Sequence, residues 1–293
     1  MRVRRLTLFS GLALALCVGP ASANQADVPL PLEASGALFA PGGEDGLRAL
    51  TVTRGQLGPG VYPKVVGAHA YDASLRARTV LLDFGGDAVW TAGLSAQTVV
   101  DEGNDIDFRL TRLFYDARTG VDFHWGPGVA RAAWVHRCSH GVDGALEGRI
   151  LIRSGLDLGY RWALDGLFGR LELDGLAHVT LIGQNDDLAA QNRGLLSARA
   201  QWSHEAGPSA RLVVGVGLGA LFVARGEAWE YDITHSASDP RLEWLPAFTV
   251  GGELAGLGSR MSLLFSTQRI ADDGVGLTTR PRSLHALRLL LAW

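Results

Sequence analysis

The sequence predicts an all-β fold: a transmembrane, antiparallel, up-and-down β-barrel of about 12 strands. Three observations carry the prediction. From Ile150, the residues Ile150, Ile152, Ser154, Leu156, Leu158, Tyr160 and Trp162 alternate with Arg149, Leu151, Arg153, Gly155, Asp157, Gly159 and Arg161. After Ala163–Gly166, read as a tight link, Leu167, Gly169, Leu171, Leu173, Gly175, Ala177, Val179 and Leu181 alternate with Phe168, Arg170, Glu172, Asp174, Leu176, His178 and Thr180. A period of two is that of a strand. These strands run well past the ~5–6 residues usual in soluble sheets. Strands this long, apolar on one face and ionic on the other, suit a wall with lipid outside and a polar lumen inside. Tyr160 and Trp162 beside the link mark the level of an interfacial aromatic belt. The third observation is an export signal at the N-terminus.

That signal is Met1-Arg2-Val3-Arg4-Arg5, an apolar run from Leu6 to Val18, and Ala21-Ser22-Ala23. A basic start, an apolar core and a small-x-small site make a secretory signal peptide over residues 1–23, with cleavage expected after Ala23. Bulky Leu16 before Cys17 argues against a lipoprotein signal. The whole chain has 27 Lys and Arg against 30 Asp and Glu. Loss of Arg2, Arg4 and Arg5 leaves 24 against 30, net −6, so no basic excess points to nucleic acid. Cys138 is then the sole cysteine, which excludes an internal disulfide scaffold. After the signal, no apolar run reaches the roughly 18 residues of a membrane helix.

Residues 24–60, rich in Pro, Gly and Ala at the start, read as an irregular periplasmic leader. Within it, Gly46–Gly60 holds either a further strand around Leu47–Arg54 or a plug segment. The barrel is expected over 61–293. Val61–Tyr71 contains Pro63, which fits a strand start or a seam. Leu75–Phe84 and Ala88–Val100 follow, then an acidic loop Asp101–Asp105, the strand Ile106–Asp116 and a turn Ala117–Gly120. Val121–Ser139 reads as one long strand, with a bulge where Gly126-Pro127-Gly128 interrupts it. Gly141–Gly148 is a loop before the hairpin already described. Gly183–Arg193 is a polar loop, and its Asn185, Asp186 and Asp187 read as loop chemistry before a cation site. Gly194–His204, Arg211–Val223, Arg241–Leu254, Met261–Ile270 and Arg282–Trp293 complete the set. Short turns alternate with longer loops such as Ala224–Pro240, as periplasmic turns and extracellular loops do in such barrels.

Leu287, Leu289, Leu291 and Trp293 alternate with Arg288, Leu290 and Ala292. A final strand ending in an aromatic residue resembles the signal by which Gram-negative outer-membrane barrels engage the barrel assembly machinery. It implies a partner at Trp293 and an outer-membrane location, with a monomer or dimer expected.

On the strand before Gly141, Arg131 and Arg137 cannot face lipid, because a charge at membrane depth costs a few kcal/mol. Trp134, His136 and Cys138 therefore face outward, near the outer leaflet's edge. His136-Arg137-Cys138-Ser139-His140-Gly141 resembles the His-x-Ser-Asn-Gly element of outer-membrane phospholipase A, a 12-stranded barrel, and the His-x-Ser pair of lipid A deacylase. The resemblance implies a lipid-facing site with His136 as general base and Cys138 in the nucleophile's place. Ser139 stands where the phospholipase has Asn. Calcium enters only through that likeness, and no cofactor is otherwise expected. Ser154 on the next strand is the candidate to orient His136. His136-x-x-Ser139-His140-x-x-Asp143 and Leu38-Phe39-Ala40-Pro41 resemble more closely a family of outer-membrane barrels without an assigned activity. Outer-membrane lipids are the partner these resemblances imply.

The inner face is expected to carry Arg149, Arg153, Asp157, Arg161, Arg170, Glu172, Asp174, Arg199, Glu243 and Glu253 as an ion-pair network, since buried charges need pairing. The alternative function is a narrow pore or binding barrel lined by these charges, with no catalysis. His124, His178 and His204 show no metal-site spacing, and no nucleotide or zinc motif appears.

Overall fold

A computed structural model describes residues 47–49, 53–66, 69–84, 87–101, 109–141, 150–184, 190–225, 239–256, 259–270 and 282–292. Its strands are β1 (Leu47–Ala49), β2 (Thr53–Val66), β3 (His69–Phe84), β4 (Ala88–Asp101), β5 (Arg109–Trp125), β6 (Gly128–Gly141), β7 (Ile150–Gly166), β8 (Gly169–Gln184), β9 (Ala190–Glu205), β10 (Ala210–Arg225), β11 (Asp239–Gly256), β12 (Ser259–Ile270) and β13 (Arg282–Ala292). Each strand from β2 onward pairs antiparallel with the next, and β13 returns to β2, closing a 12-stranded barrel. The short β1 pairs with the foot of β3, below the point where Thr53 of β2 meets Thr79.

Alternation sorts the side chains as the pattern requires. Leu94 is 68 % exposed and Leu158 60 %, whereas Asp157 and Arg161 are fully buried. Apolar wall outside and charge inside is the inverse of a soluble core, and it fits a barrel whose solvent is lipid. The lumen also holds an apolar cluster of Leu195, Leu221, Val223 and Leu245. Near the short connections, aromatic side chains pack against the turns. Trp125 and Tyr160 pack edge to face with centroids 6.0 Å apart, and the Tyr160 hydroxyl donates to the Trp125 carbonyl at 3.1 Å. The Trp202 indole donates to the Phe168 carbonyl at 3.1 Å.

The strand total matches the expectation, but several boundaries do not. Gly126 and Pro127 form the two-residue turn between β5 and β6, where a single bulged strand was expected. Gly126 has φ 58°, a left-handed conformation that suits glycine at the first position of such a turn, and Pro127 brings no N–H to continue a ladder. Conversely Ala117–Gly120, expected as a turn, runs through the middle of β5 and pairs on both sides. Ala163–Gly166 belongs to β7, and the link is Leu167–Phe168, both exposed. Val61–Tyr71 divides between β2 and β3. Because β2 starts at Thr53, the barrel begins inside the segment expected as leader. Residues 1–46 and the long connections lie outside the described residues, and so do Arg149 and Trp293.

Candidate functional site

On β6, Arg131, Ala133, Val135 and Arg137 are buried toward the lumen, while Ala132 and Trp134 are exposed and His136 and Cys138 half-buried on the outer wall. His136 stands directly opposite Ser154 of β7, and its Nδ1 lies 2.8 Å from the Ser154 Oγ. Directly opposed residues of antiparallel strands have Cα atoms about 4.5–5.5 Å apart. Residues two apart on one strand are separated by about 6.6 Å. The geometry therefore favours a partner across the strands, and Ser154 holds that place. Cys138 faces outward with His136 but opposes Tyr115 and Ile152. The backbone of Ser139 and His140 continues β6 opposite Phe114 and Leu113, and their side chains lie outside the described residues.

Beside Ser154 the register of β7 and β8 shifts. Gly155 pairs with Thr180 but Ser154 with Ile182, which makes Leu181 an extra residue. Leu181 and Ile182 are 56 % and 54 % exposed, so two successive aliphatic side chains stand on the surface next to a serine that is itself 3 % exposed. Bulges re-aim side chains in this way and are common beside active sites.

The lumen carries its charges as pairs. Arg161 meets Asp174 at 3.0 Å and Arg170 meets Glu172 at 2.8 Å. Arg131 meets Asp122 at 2.8 Å, and Arg78 reaches the same carboxylate from β3. Glu253 takes Arg211 at 2.6 Å and the Ser262 hydroxyl at 3.2 Å. Arg153 is buried, Arg199 half-buried and Glu243 buried on the same inner face. Among the described residues, no group of three or more His, Cys, Asp or Glu side chains is placed to hold a metal ion.

Sequence reasoning missed one constellation. Asp157 is fully buried; His178 Nδ1 lies 2.7 Å from its Oδ1, and His178 Nε2 lies 3.2 Å from the Thr180 Oγ1. The Arg118 guanidinium approaches Asp157 at 3.3 Å. The signal was in the hairpin: Asp157 and His178 are equidistant from the Leu167–Phe168 loop, so pairing follows once that loop is placed.

No family model matches the chain, and no curated protein matches it. Solved outer-membrane barrels do. The COG4313 outer membrane channel from Pseudomonas putida F1 matches with a TM-score of 0.53 at 12 % identity, covering 86 % of this chain and 98 % of that one. LpxR from Salmonella typhimurium matches with a TM-score of 0.48 at 8 % identity, covering 82 % and 99 %. The likeness is one of fold, and the neighbours are Gram-negative outer-membrane proteins.

Proposed function

We propose that this chain is an integral outer-membrane barrel that hydrolyses acyl esters of membrane lipids on its outer wall, with Ser154 as nucleophile and His136 as base. The observation that supports this reading is the 2.8 Å contact between His136 Nδ1 and Ser154 Oγ on the outer wall. A hydroxyl within hydrogen-bond reach of an imidazole is the minimal arrangement for nucleophilic catalysis. The Ser154 Oγ bonds to the acyl carbon as its proton passes to His136 Nδ1. The ester C–O bond breaks, and the leaving alcohol takes that proton. Water then hydrolyses the acyl-serine. The resemblance of His136-x-Cys138 to a His-x-Ser pair keeps Cys138 as a second candidate nucleophile on the same face, and calcium as a candidate activator. In this reading outer-membrane lipids are both surroundings and substrate, and the C-terminal strand is the handle for barrel assembly.

The test is release of fatty acid by the refolded barrel from phospholipid and from lipopolysaccharide, assayed separately, with and without calcium. Activity lost in Ser154→Ala and His136→Ala but kept in Cys138→Ala supports the Ser154 reading. Activity lost in Cys138→Ala and kept in Ser154→Ala moves the nucleophile to Cys138. No hydrolysis under any condition overturns the proposal.

A narrow pore is the second reading. It is favoured by likeness to a protein described as an outer membrane channel, and by the arginines on the inner face. Single-barrel conductance in a planar bilayer, with selectivity altered by Arg153→Ala, supports it; an electrically silent barrel removes it.

A further inference from the structure

We propose that Asp157, His178 and Thr180 form a second hydrolytic centre, inside the lumen, for small anionic esters. It shares no residue with the outer-wall dyad and lies on the inner face of the barrel, where the dyad lies on the outer one.

The connectivity is that of an acid–base–nucleophile relay. An ionised carboxylate only accepts, so His178 Nδ1–H donates to Asp157 Oδ1 at 2.7 Å. In the neutral imidazole, the form a general base requires, that fixes the tautomer and leaves Nε2 as an acceptor. The Thr180 hydroxyl donates to it at 3.2 Å. The same logic of orienting acid, imidazole base and hydroxyl operates on unrelated folds and is recognised by geometry. The backbone holds all three members. Asp157 and His178 are directly opposed on β7 and β8, and Thr180 follows His178 on the same inner face. Burial falls along the relay: Asp157 is fully buried and His178 7 % exposed, whereas Thr180 is half-buried. Thr180 also lies near the Gln184 end of β8, toward the longer connections.

Charge supplies the substrate class. Arg118 stands 3.3 Å from Asp157. Arg153 is buried on the inner face of β7, two residues from the Gly155 that opposes Thr180. Both guanidinium groups belong to the inner face that carries the relay, and their positive charge favours an ester that bears a carboxylate over a neutral one.

In the reaction the Thr180 Oγ1 bonds to the acyl carbon while its proton moves to His178 Nε2. The ester C–O bond breaks, and the alcohol leaves with that proton. Water attacks the acyl-threonine, its proton passing through His178, and the acid departs. Thr180 and His178 are the catalytic residues. Asp157 is a positioning residue, which holds the imidazole and balances its transient charge.

Mono-p-nitrophenyl succinate and p-nitrophenyl acetate are the probes, used on the refolded full-length barrel, with the acylated peptide mapped by mass spectrometry. The expected result is a burst of p-nitrophenol and a succinyl group on Thr180, with the succinate ester favoured over the acetate in kcat/KM by about tenfold, the size of one charge-assisted contact. Thr180→Val abolishes burst and label, and Thr180→Ser restores them. Asp157→Asn lowers kcat by roughly 10²–10⁴-fold and leaves KM within a few-fold, which a merely structural role would not do. A heat-modifiable gel shift reports whether each variant is folded. A label on Ser154 or on no residue, a full burst in Thr180→Val, or equal use of the two esters overturns the proposal. Because the labelled residue is read directly, failure here and failure of the outer-wall reading are distinguished.

Discussion

Asp72 on β3 and Arg288 on β13 are two strands apart, yet their side chains meet at 2.8 Å. β2 runs between them and presents Gly60, which is the register partner of both. A Cβ on Gly60 would overlap the Asp72 carboxylate and crowd Arg288. A position without a side chain thus lets an ion pair span the joint where the barrel closes. Arg288→Met leaves the Asp72 charge buried with one strong partner fewer, and a loss of about 3–5 kcal/mol is expected for breaking such a pair. Gly60→Leu should destabilise by about 1–3 kcal/mol through overpacking. Urea unfolding of the barrel in lipid vesicles, followed by tryptophan emission, measures both.

Asp122 and Asp165 make a paired test of burial. Asp122 is 1 % exposed and receives Arg131 and Arg78, whereas the Asp165 side chain is 78 % exposed beside Arg170. Asp122→Ala should cost about 3–5 kcal/mol by leaving the buried Arg131 and the half-buried Arg78 short of a counter-charge. Asp165→Ala should cost under about 1 kcal/mol, as exposed pairs do. Equal losses in the same unfolding assay would mean that the lumen is as wet as the surface.

Leu94 sits mid-strand on β4 and is 68 % exposed on the outer wall. If that wall faces hydrocarbon, Leu94→Arg costs about 2–4 kcal/mol, the range for a cation at the bilayer midplane. A neutral effect in vesicles would argue that this face is covered by protein or water.

Ser154 and Cys138 separate two versions of the wall chemistry. With Ser154 as nucleophile, Ser154→Ala should lower lipid hydrolysis by roughly 10²–10⁴-fold, whereas Cys138→Ala, opposite Ile152 and two residues along from His136, should stay within a few-fold. Initial rates of fatty-acid release from mixed vesicles check both in one series.

The turns show where local reading stops. Ala117-Arg118-Thr119-Gly120 has a turn's composition, yet it lies inside β5 with partners on both sides. Gly126-Pro127 has the same character and is a turn. What separates them is the summed pairing of the neighbouring strands, a non-local quantity. The candidate site shows the same limit. His136 and its outward face followed from the cost of placing Arg131 and Arg137 in lipid. Ser154 was nameable as an outward residue on the next strand, but its standing opposite His136 needed the register. His178 looked isolated because its partner Asp157 belongs to another strand.

By itself the sequence determined what depends on alternation and transfer energy: an all-β barrel, strands long enough to cross a membrane, and which faces point outward or into the lumen. A period of two and the cost of an arginine in hydrocarbon are readable residue by residue. Only the tertiary structure decided the register, and with it the Ser154–His136 contact, the Asp157–His178–Thr180 relay, and the Asp72–Arg288 pair over Gly60. Register is a cooperative property of all twelve strands. A shift of one residue at any turn would exchange every partner and turn each face inside out.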